Sequence, residues 1–462
     1  HPDLAPAMVG NFKYVCSSPG LINTVSQTCF GNALLFGTTC PGHNQGWVSL
    51  ADTDSSSGHG THVAGIAAGR GIASDGRFMG AAPDANLIGL GSGEVISILF
   101  AVEAFKWVSC NGAAFGVDIV QNSWGSAGAF VATDPVNMAV TALVGAGYTV
   151  VFSAGNDGPG GTVNRYARNP ALGVISVGST YDGDSAANAA ATIAPTTSQC
   201  LATSPAVDCP DVAAPGELIT AALAKTGPVV AALSLGPHLA YAPYYGTISG
   251  TSMAAPHVSG IIALMIEANG APLAPAAVED ILEDTAVPIA AGAPYAIANP
   301  TNPAPSPSVS TSMGAGHVDA IAAIEAVTGA APLGSPLPQV SQNPHVYVGG
   351  ADLQVASGVQ WTVPAGQALE LSERFMVSGD AGWPLAATQA CQFVVFPGAY
   401  PTAGAGVVVP CATGGLQLIA SSGELTMDAP HAFTAVGDYT VESQVLWGGV
   451  FTAFDHFVVR VV

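Results

Sequence analysis

The pattern that most constrains this chain is an alternation, from His59 to about residue 326, of short apolar runs with longer segments rich in small residues. Four runs, at residues 85–90, 117–121, 148–153 and 174–177, are almost wholly apolar, as strands buried on both faces of a parallel sheet are. Helical candidates are found at residues 96–108, 134–146, 252–268 and 275–285. The alternation predicts an α/β domain with a parallel sheet and helices on both faces.

A different pattern begins after a Pro-rich passage at residues 331–338. Short β-prone runs separated by turn residues follow, at residues 358–363, 392–396, 405–409, 438–445 and 457–462. They predict an all-β, immunoglobulin-like sandwich. Because 462 residues exceed what one hydrophobic core usually holds, we divide the chain into an α/β domain at 1–330, a linker at 331–345 and the sandwich at 346–462.

The charge of the chain limits its partners. Nine Lys and Arg residues against 31 Asp and Glu give a net charge of -22, which offers phosphates no cationic stripe. No uninterrupted apolar run reaches the roughly 18 residues of a membrane span. We therefore expect no nucleic-acid partner and no membrane span, and we expect a monomer.

The eight cysteines contain no CxxC pair, so disulfides in an oxidising compartment explain them better than zinc or a dithiol redox motif. We predict the local pairs Cys200–Cys209 and Cys391–Cys411 and a secreted protein. The other four cysteines permit three connectivities; they are Cys16, Cys29, Cys40 and Cys110.

Three segments carry the side chains that acyl transfer requires. The first, GHGTHVAG at 58–65, holds His59 between two glycines at the start of a helical segment. The second, SAGNDG at 153–158, places the Asn156 amide in a Gly-rich turn after an apolar strand, where it can face developing negative charge. The third, GTSMAAPHVSG at 250–260, puts Ser252 at the start of a helix, where N–H groups and the helix dipole favour an oxyanion.

Together these segments resemble the signatures of subtilisin-like serine proteases, the subtilases, over residues 1–326. Four further segments resemble landmarks of that family in the expected order: GAAPDA at 80–85, NSWG at 122–125, DVAAPG at 211–216 and GAGHVD at 314–319. The resemblance implies a subtilisin-like fold and an endopeptidase acting on proteins or peptides, with no cofactor required for the chemistry.

Carried over by position, the resemblance makes His59 the general base, Ser252 the nucleophile and Asn156 the side-chain oxyanion donor. It also assigns substrate binding to five residues: Ser123, Trp124 and Gly125 along the substrate backbone, Gly155 beside Asn156, and Asp157 at the rim of the pocket for the residue preceding the scissile bond. His62 and His257 are interpreted as packing residues.

The family's triad aspartate precedes an HPDL segment, and this chain begins with HPDL at 1–4. We therefore expect that aspartate upstream of residue 1. Asp52 and Asp54 are alternatives, but residues so close to His59 in sequence usually line its loop. The rival interpretation is a catalytically inactive subtilase-fold protein that binds peptides or surfaces.

Two further expectations come from resemblance. Asp3 resembles a calcium ligand of many subtilases, which implies a structural calcium ion. The segment at 431–441 resembles the closing strands of PKD-like immunoglobulin-type modules, which implies binding, adhesion or stabilisation.

Overall fold

The computed structural model describes most of the chain, with gaps. The described residues are 1–14, 47–54, 57–74, 78–91, 98–158, 163–181, 192–199, 210–224, 228–234, 244–287, 289, 314–329, 343–353, 360–375, 390–398, 406–412, 415–418, 425–447 and 450–462. The predicted Cys200–Cys209 pair and nearly all of the predicted linker lie outside these residues.

The described residues up to 329 form an α/β unit. Its strands are β1 (Met8–Tyr14), β2 (Trp47–Ser49), β3 (Leu87–Gly91), β4 (Ile119–Asn122), β5 (Thr149–Ser153), β6 (Val174–Tyr181), β7 (Thr192–Ile193), β8 (Val212–Pro215), β9 (Ile219–Ala222) and β10 (Tyr245–Ile248). Its α-helices are α1 (His59–Ala68), α2 (Ile98–Phe115), α3 (Pro135–Gly145), α4 (Pro228–Leu233), α5 (Thr251–Asn269), α6 (Pro275–Thr285) and α7 (Ala320–Thr328).

Two parallel arrays form the centre of this unit. Strands β4, β5, β6 and β8 pair in parallel in that order, and β7 adds antiparallel to β6. In a separate sheet β1 pairs in parallel with β3 and antiparallel with β2. Among the described strands none pairs with both β3 and β4.

Strand β5 explains why the sheet carries helices on both faces. Every residue of its Thr-Val-Val-Phe-Ser sequence is buried. Because side chains alternate along a strand, Val150 and Phe152 pack with α2 and α3, whereas Val151 packs with α5 and α6. Helices therefore cover both faces, as the sequence predicted.

Two helix ends carry clear local sequence signals. Asp134 caps α3 by accepting a 2.9 Å hydrogen bond from the Val136 N–H, and Pro135 occupies the first helical position. Helix α5 ends at Gly270, whose φ of 71° suits a residue without a Cβ.

The remaining described residues, from 343 onward, form strands only. They are β11 (Asn343–Val348), β12 (Ala351–Asp352), β13 (Gln360–Val363), β14 (Leu369–Phe375), β15 (Cys391–Pro397), β16 (Val407–Pro410), β17 (Gln417–Leu418), β18 (Leu425–His431), β19 (Gly437–Trp447) and β20 (Val450–Val461). One sheet has the order β12-β11-β14-β18-β17, and the other has the order β13-β20-β19-β15-β16.

Residues of both five-stranded sheets share one hydrophobic core, as in a β-sandwich. Leu371 and Met427 of the first sheet pack in it with Phe393, Val441 and Phe457 of the second. All buried members of this core lie between residues 346 and 461. The all-β architecture agrees with the sequence prediction, while the likeness to PKD modules stays a prediction.

A disulfide joins Cys391 to Cys411, with a Cα–Cα distance of 5.5 Å, in agreement with the predicted pairing. Cys110 in α2 is also disulfide-bonded. No described helix has the length and apolarity needed to cross a bilayer.

Candidate active site

Ser252 is the second residue of α5. Gly250, the residue before this helix, has a φ of 145°, and its N–H donates a 2.7 Å hydrogen bond to the Gly216 carbonyl oxygen. A residue with a side chain rarely adopts that backbone conformation. The turn therefore fixes the start of α5, where the first N–H groups have no acceptor within the helix.

Ser252 and Ser123 exchange hydrogen bonds. The Ser252 hydroxyl donates to the Ser123 carbonyl oxygen at 3.2 Å, and the Ser123 hydroxyl donates to the Ser252 carbonyl oxygen at 2.6 Å. That second acceptor is available because Pro256, four residues on, lacks the N–H that would otherwise bond it. Pro256 thus leaves the Ser252 carbonyl oxygen free to accept the hydrogen bond from the Ser123 hydroxyl.

Thr251, the residue before Ser252, holds the Asn156 side chain by hydrogen bonds. Asn156 Oδ1 accepts one hydrogen bond from the Thr251 N–H and another from its hydroxyl, both at 2.9 Å. The Thr251 hydroxyl oxygen accepts in turn from the Gly155 N–H at 3.1 Å. Because the amide is fixed through its oxygen, its NH2 group is left to donate elsewhere, and Asn156 is exposed.

His59 is the first residue of α1, and its helix packs against α5. Ile66 of α1 and Met253 of α5 share a buried cluster, and a Cβ on Gly260 would come within 3.0 Å of the Ala67 carbonyl oxygen. In the described part of the chain neither ring nitrogen of His59 has a hydrogen bond. The base and nucleophile candidates therefore lie on adjacent helices, with the Ser252 hydroxyl turned toward Ser123.

Burial lowers the pKa of the His59 imidazole, and the nearby Asp54 carboxylate opposes that shift. A lowered pKa keeps the ring neutral near pH 7, which is the form that can accept a proton.

Asp54, the carboxylate nearest to His59 in sequence, is hydrogen-bonded to the first turn of α1. Asp54 Oδ2 accepts hydrogen bonds from the Thr61 N–H at 2.7 Å and from the Thr61 hydroxyl at 2.5 Å. Asp52 Oδ1 accepts from the Asp54 N–H at 3.2 Å. These bonds stabilise the first turn of α1 and the loop before it, which is the role that the sequence favoured for both residues.

His62 and His257 lie one to two turns along the same helices. His62 is fully buried, and its Nε2 is 3.0 Å from the Gly246 carbonyl oxygen of β10. Burial, together with the charges of His59 and His257, lowers the pKa of His62 to about 4 against the opposing effect of the hydrogen bond to Gly246. His257 Nδ1 is 2.9 Å from the Met253 carbonyl oxygen within α5. Both contacts are those of packing residues.

The substrate-binding candidates follow β4 and β5 at their carboxyl ends. The Trp124 ring packs against Phe152 and Tyr166 at centroid distances of 5.6 and 5.7 Å, which anchors residues 123–125. Gly155 has a φ of 113°. Asp157 is exposed, and its N–H donates to the Ser198 hydroxyl at 3.2 Å.

The residues around Asp3 do not fit the expected calcium ion. Asp3 is buried, and its two carboxylate oxygens accept hydrogen bonds from the Ala73 N–H at 2.9 Å and the Tyr245 hydroxyl at 2.5 Å. The Tyr245 oxygen is also 3.0 Å from the Ser74 hydroxyl. Calcium requires several oxygen lone pairs directed at one point, whereas these described neighbours direct donors at Asp3.

One group of three carboxylates does occur among the described residues. Oxygens of Asp211, Glu279 and Glu283 lie within 4.8 Å of one another. The Ser176 N–H bonds Asp211 at 2.6 Å, and the Gly173 N–H bonds Glu279. Burial, with the neighbouring carboxylates, raises the pKa of Asp211 well above its usual range and that of Glu279 to about 7. The raised pKa values favour protons held between these carboxylates near neutral pH.

Two residues of the site were not identified from the sequence. Thr251 orients Asn156, and the only signal for it was its place beside Ser252. Asn164 is 3 % exposed and donates from Nδ2 to the carbonyl oxygens of Trp124 and Ser153, both at 3.0 Å. An asparagine in a segment without a signature gives no sequence-level indication of such a role.

Comparison with known proteins places the α/β unit in a family. The Peptidase_S8 family model, described as "Subtilase family", matches residues 1–322. Serine protease AprX of Bacillus subtilis (strain 168) is 33% identical over 241 residues, covering 49% of this chain and 52% of that protein. Alkaline serine exoprotease A of Vibrio alginolyticus is 31% identical over 238 residues, covering 50% of this chain and 35% of that protein.

This chain thus spans about half or less of the length of these relatives. Among solved structures, sphericase superposes with a TM-score of 0.47 at 23% identity, covering 64% of this chain and 83% of that one.

Proposed function

The chain belongs to the subtilase family, and from that premise we propose that it is a secreted serine endopeptidase that hydrolyses peptide bonds through an acyl-enzyme on Ser252. The observation that carries this proposal is the hydrogen-bonded unit of Ser123, Thr251, Ser252 and Asn156 at the start of α5. It gathers a nucleophile, a substrate strand and an oxyanion donor.

Each residue has a defined part in the proposed reaction. Neutral His59 takes the proton of the Ser252 hydroxyl as that oxygen attacks the substrate carbonyl carbon, and it returns the proton to the leaving amine. Asn156 Nδ2 and the Ser252 N–H donate to the oxyanion of the tetrahedral intermediate. Water then attacks the acyl-enzyme by the same sequence, with His59 again accepting the proton.

The attack requires a rotation about the Ser252 side chain. Its hydroxyl donates to Ser123 in the free protein, so a substrate strand that pairs with residues 123–125 by β-augmentation must release it toward His59. Catalytic hydrogen bonds often form only in the substrate complex.

The proposed substrates are proteins or peptides in an oxidising compartment. The Cys391–Cys411 disulfide and the disulfide-bonded state of Cys110 support secretion, because cytosolic thiols are kept reduced. The chemistry needs no cofactor.

The second candidate function is an inactive subtilase-fold binding protein. The observation favouring it is that no carboxylate among the described residues is hydrogen-bonded to His59, the position from which a triad aspartate fixes the imidazole tautomer. In subtilisin, loss of the triad aspartate lowers turnover by a factor on the order of 10^4.

One experiment separates the two candidates. Full-length protein is incubated with casein in parallel with its Ser252→Ala variant and with a matched control, Ser109→Ala, which changes an exposed serine on α2. The proposal expects cleavage by the wild type and the control and none above background by Ser252→Ala. Equal cleavage by all three proteins, or by none, contradicts it.

A further inference from the structure

The residues proposed to bind substrate form two walls. Residues 123–126 follow β4, and residues 153–155 follow the adjacent parallel strand β5. A substrate backbone laid along residues 123–125 directs the side chain that precedes the scissile bond between these walls. What lies between them therefore decides which side chains can enter.

Two consecutive residues close the space between the walls. The Asn164 N–H donates to the Ala154 carbonyl oxygen at 2.7 Å, and the Arg165 N–H donates to the Ser126 carbonyl oxygen at 2.9 Å. One residue thus bonds each wall, and the segment forms a floor across the gap.

The side chain of Asn164 fills the same gap and cannot readily leave it. Nδ2 donates to Trp124 on one wall and Ser153 on the other, both at 3.0 Å. Oδ1 accepts from the Ser126 N–H at 3.3 Å and the Tyr166 N–H at 3.1 Å. Two donors and two acceptor lone pairs are the full capacity of an amide. Moving Asn164 aside would therefore break four hydrogen bonds, and those to Ser153 and Tyr166 are buried.

The amide also lies against the glycine of the first wall. A Cβ built on Gly125 would be 2.0 Å from Asn164 Nδ2, and one built on Gly155 would be 3.8 Å from the Asn164 N and 2.9 Å from the Ser198 hydroxyl oxygen. Space that two glycines would otherwise open to a substrate side chain is therefore already occupied.

We propose that Asn164 determines specificity by closing this pocket, so that the enzyme cleaves after small residues such as Gly, Ala and Ser. The inference rests on the proposed function and narrows its substrate class. Asp157 lies at the exposed rim, where a charge contributes little, so pocket depth rather than charge sets the preference.

The test uses the full-length protein and three tetrapeptide p-nitroanilides that differ only in the residue before the anilide: Ala, Leu or Phe. We expect kcat/KM for Ala to exceed that for Phe at least about tenfold, the usual scale of discrimination by pocket size. Asn164→Ala should shift the Phe-to-Ala ratio of kcat/KM by at least about tenfold toward Phe.

Asn169→Ala is the matched control. Asn169 is a buried amide five residues along that bonds the Asn137 carbonyl oxygen and the Thr141 hydroxyl, both at 3.1 Å, away from the walls. Its loss should lower stability without moving the Phe-to-Ala ratio. If Asn164→Ala does not fold, Asn164→Ser is measured in its place.

The outcomes are distinct. Preference of the wild type for Phe, or an unchanged ratio in the Asn164 variant that folds, overturns the inference and leaves the proposed function standing. Failure to cleave any of the three anilides, together with failure of Ser252 to react with a fluorophosphonate, contradicts the proposed function, and the inference falls with it.

Discussion

The hydroxyl of Thr251 donates a 2.9 Å hydrogen bond to Oδ1 of Asn156. Because the Thr251 N–H donates to the same oxygen, the residue before Ser252 holds the Asn156 amide through two hydrogen bonds. The position of Asn156 is therefore coupled to the first turn of α5 rather than to its own exposed loop.

Thr251→Val removes the hydroxyl and keeps the N–H bond. A neutral hydrogen bond contributes about 1 kcal/mol, so we expect kcat to fall roughly five- to tenfold on a peptide anilide with KM little changed. Thr251→Ser keeps the hydroxyl and should remain within about twofold of the wild type. A fall in both variants alike would contradict an orienting role for the hydroxyl.

His62 should make the fold less stable in acid. Its pKa is lowered to about 4 by burial, from 6.5, so between these values the unfolded chain binds a proton that the folded chain does not. Stability is therefore lost as pH falls, by about 2 kcal/mol between pH 7 and pH 5. His62→Gln keeps a donor for Gly246 and should reduce that slope by about this amount in denaturant unfolding at the two pH values. Equal slopes in the two proteins would refute the assignment.

Glu279 should make the fold less stable as pH rises, which is opposite to the effect of His62. Its pKa is raised to about 7 from 4.5 by burial and the carboxylates beside it, against the effect of the Gly173 N–H, so the folded chain retains a proton that the unfolded chain has lost. The stability it provides is present below about pH 4.5 and is lost as pH rises through 7, by about 2 kcal/mol between pH 5 and pH 8.

Glu279→Gln should remove that decline in urea unfolding measured at pH 5 and pH 8. Glu267→Gln, an exposed glutamate on α5, is the control and should leave the decline unchanged. If the control flattened the profile as much as Glu279→Gln, the carboxylate cluster would not be its source.

The Cys391–Cys411 disulfide should stabilise the sandwich alone. It closes a loop of 20 residues, which corresponds to about 3 kcal/mol of unfolding free energy. Because the sandwich core lies wholly within residues 346–461, the double Cys→Ala variant should lower the melting transition of this part and leave casein cleavage unchanged. A matching fall in the transition of the α/β unit would argue against the proposed division at residues 331–345.

Much of the architecture could be predicted because its signals are local. The apolar run at 148–153 corresponds to β5 and the segment at 252–268 to α5. Burial of a strand on both faces requires consecutive apolar residues, and helix ends favour particular residue types, so both can be recognised in the sequence. Ser252 is hydrogen-bonded to Ser123, and Asn156 is hydrogen-bonded to Thr251; the catalytic roles of these residues stay proposals.

What could not be predicted depends on contacts between distant segments. Nothing in the sequence shows that the amide of Asn164 reaches Trp124 and Ser153, or that Asp211 meets Glu279 and Glu283. One part of the contact between Ser123 and Ser252 could have been predicted. Pro256, four residues after Ser252, leaves the Ser252 carbonyl oxygen without a helical donor, and the Ser123 hydroxyl donates to that oxygen.

We propose that Ser252 is a nucleophile activated by His59. The most direct test is reaction of the full-length protein with a fluorophosphonate probe, followed by peptide mass spectrometry. We expect one adduct, on Ser252, formed at least about 10^3-fold more slowly in His59→Ala because the base is gone, and at the wild-type rate in His431→Ala, a histidine of the sandwich. Labelling of another serine, or labelling of Ser252 that does not depend on His59, would contradict the account.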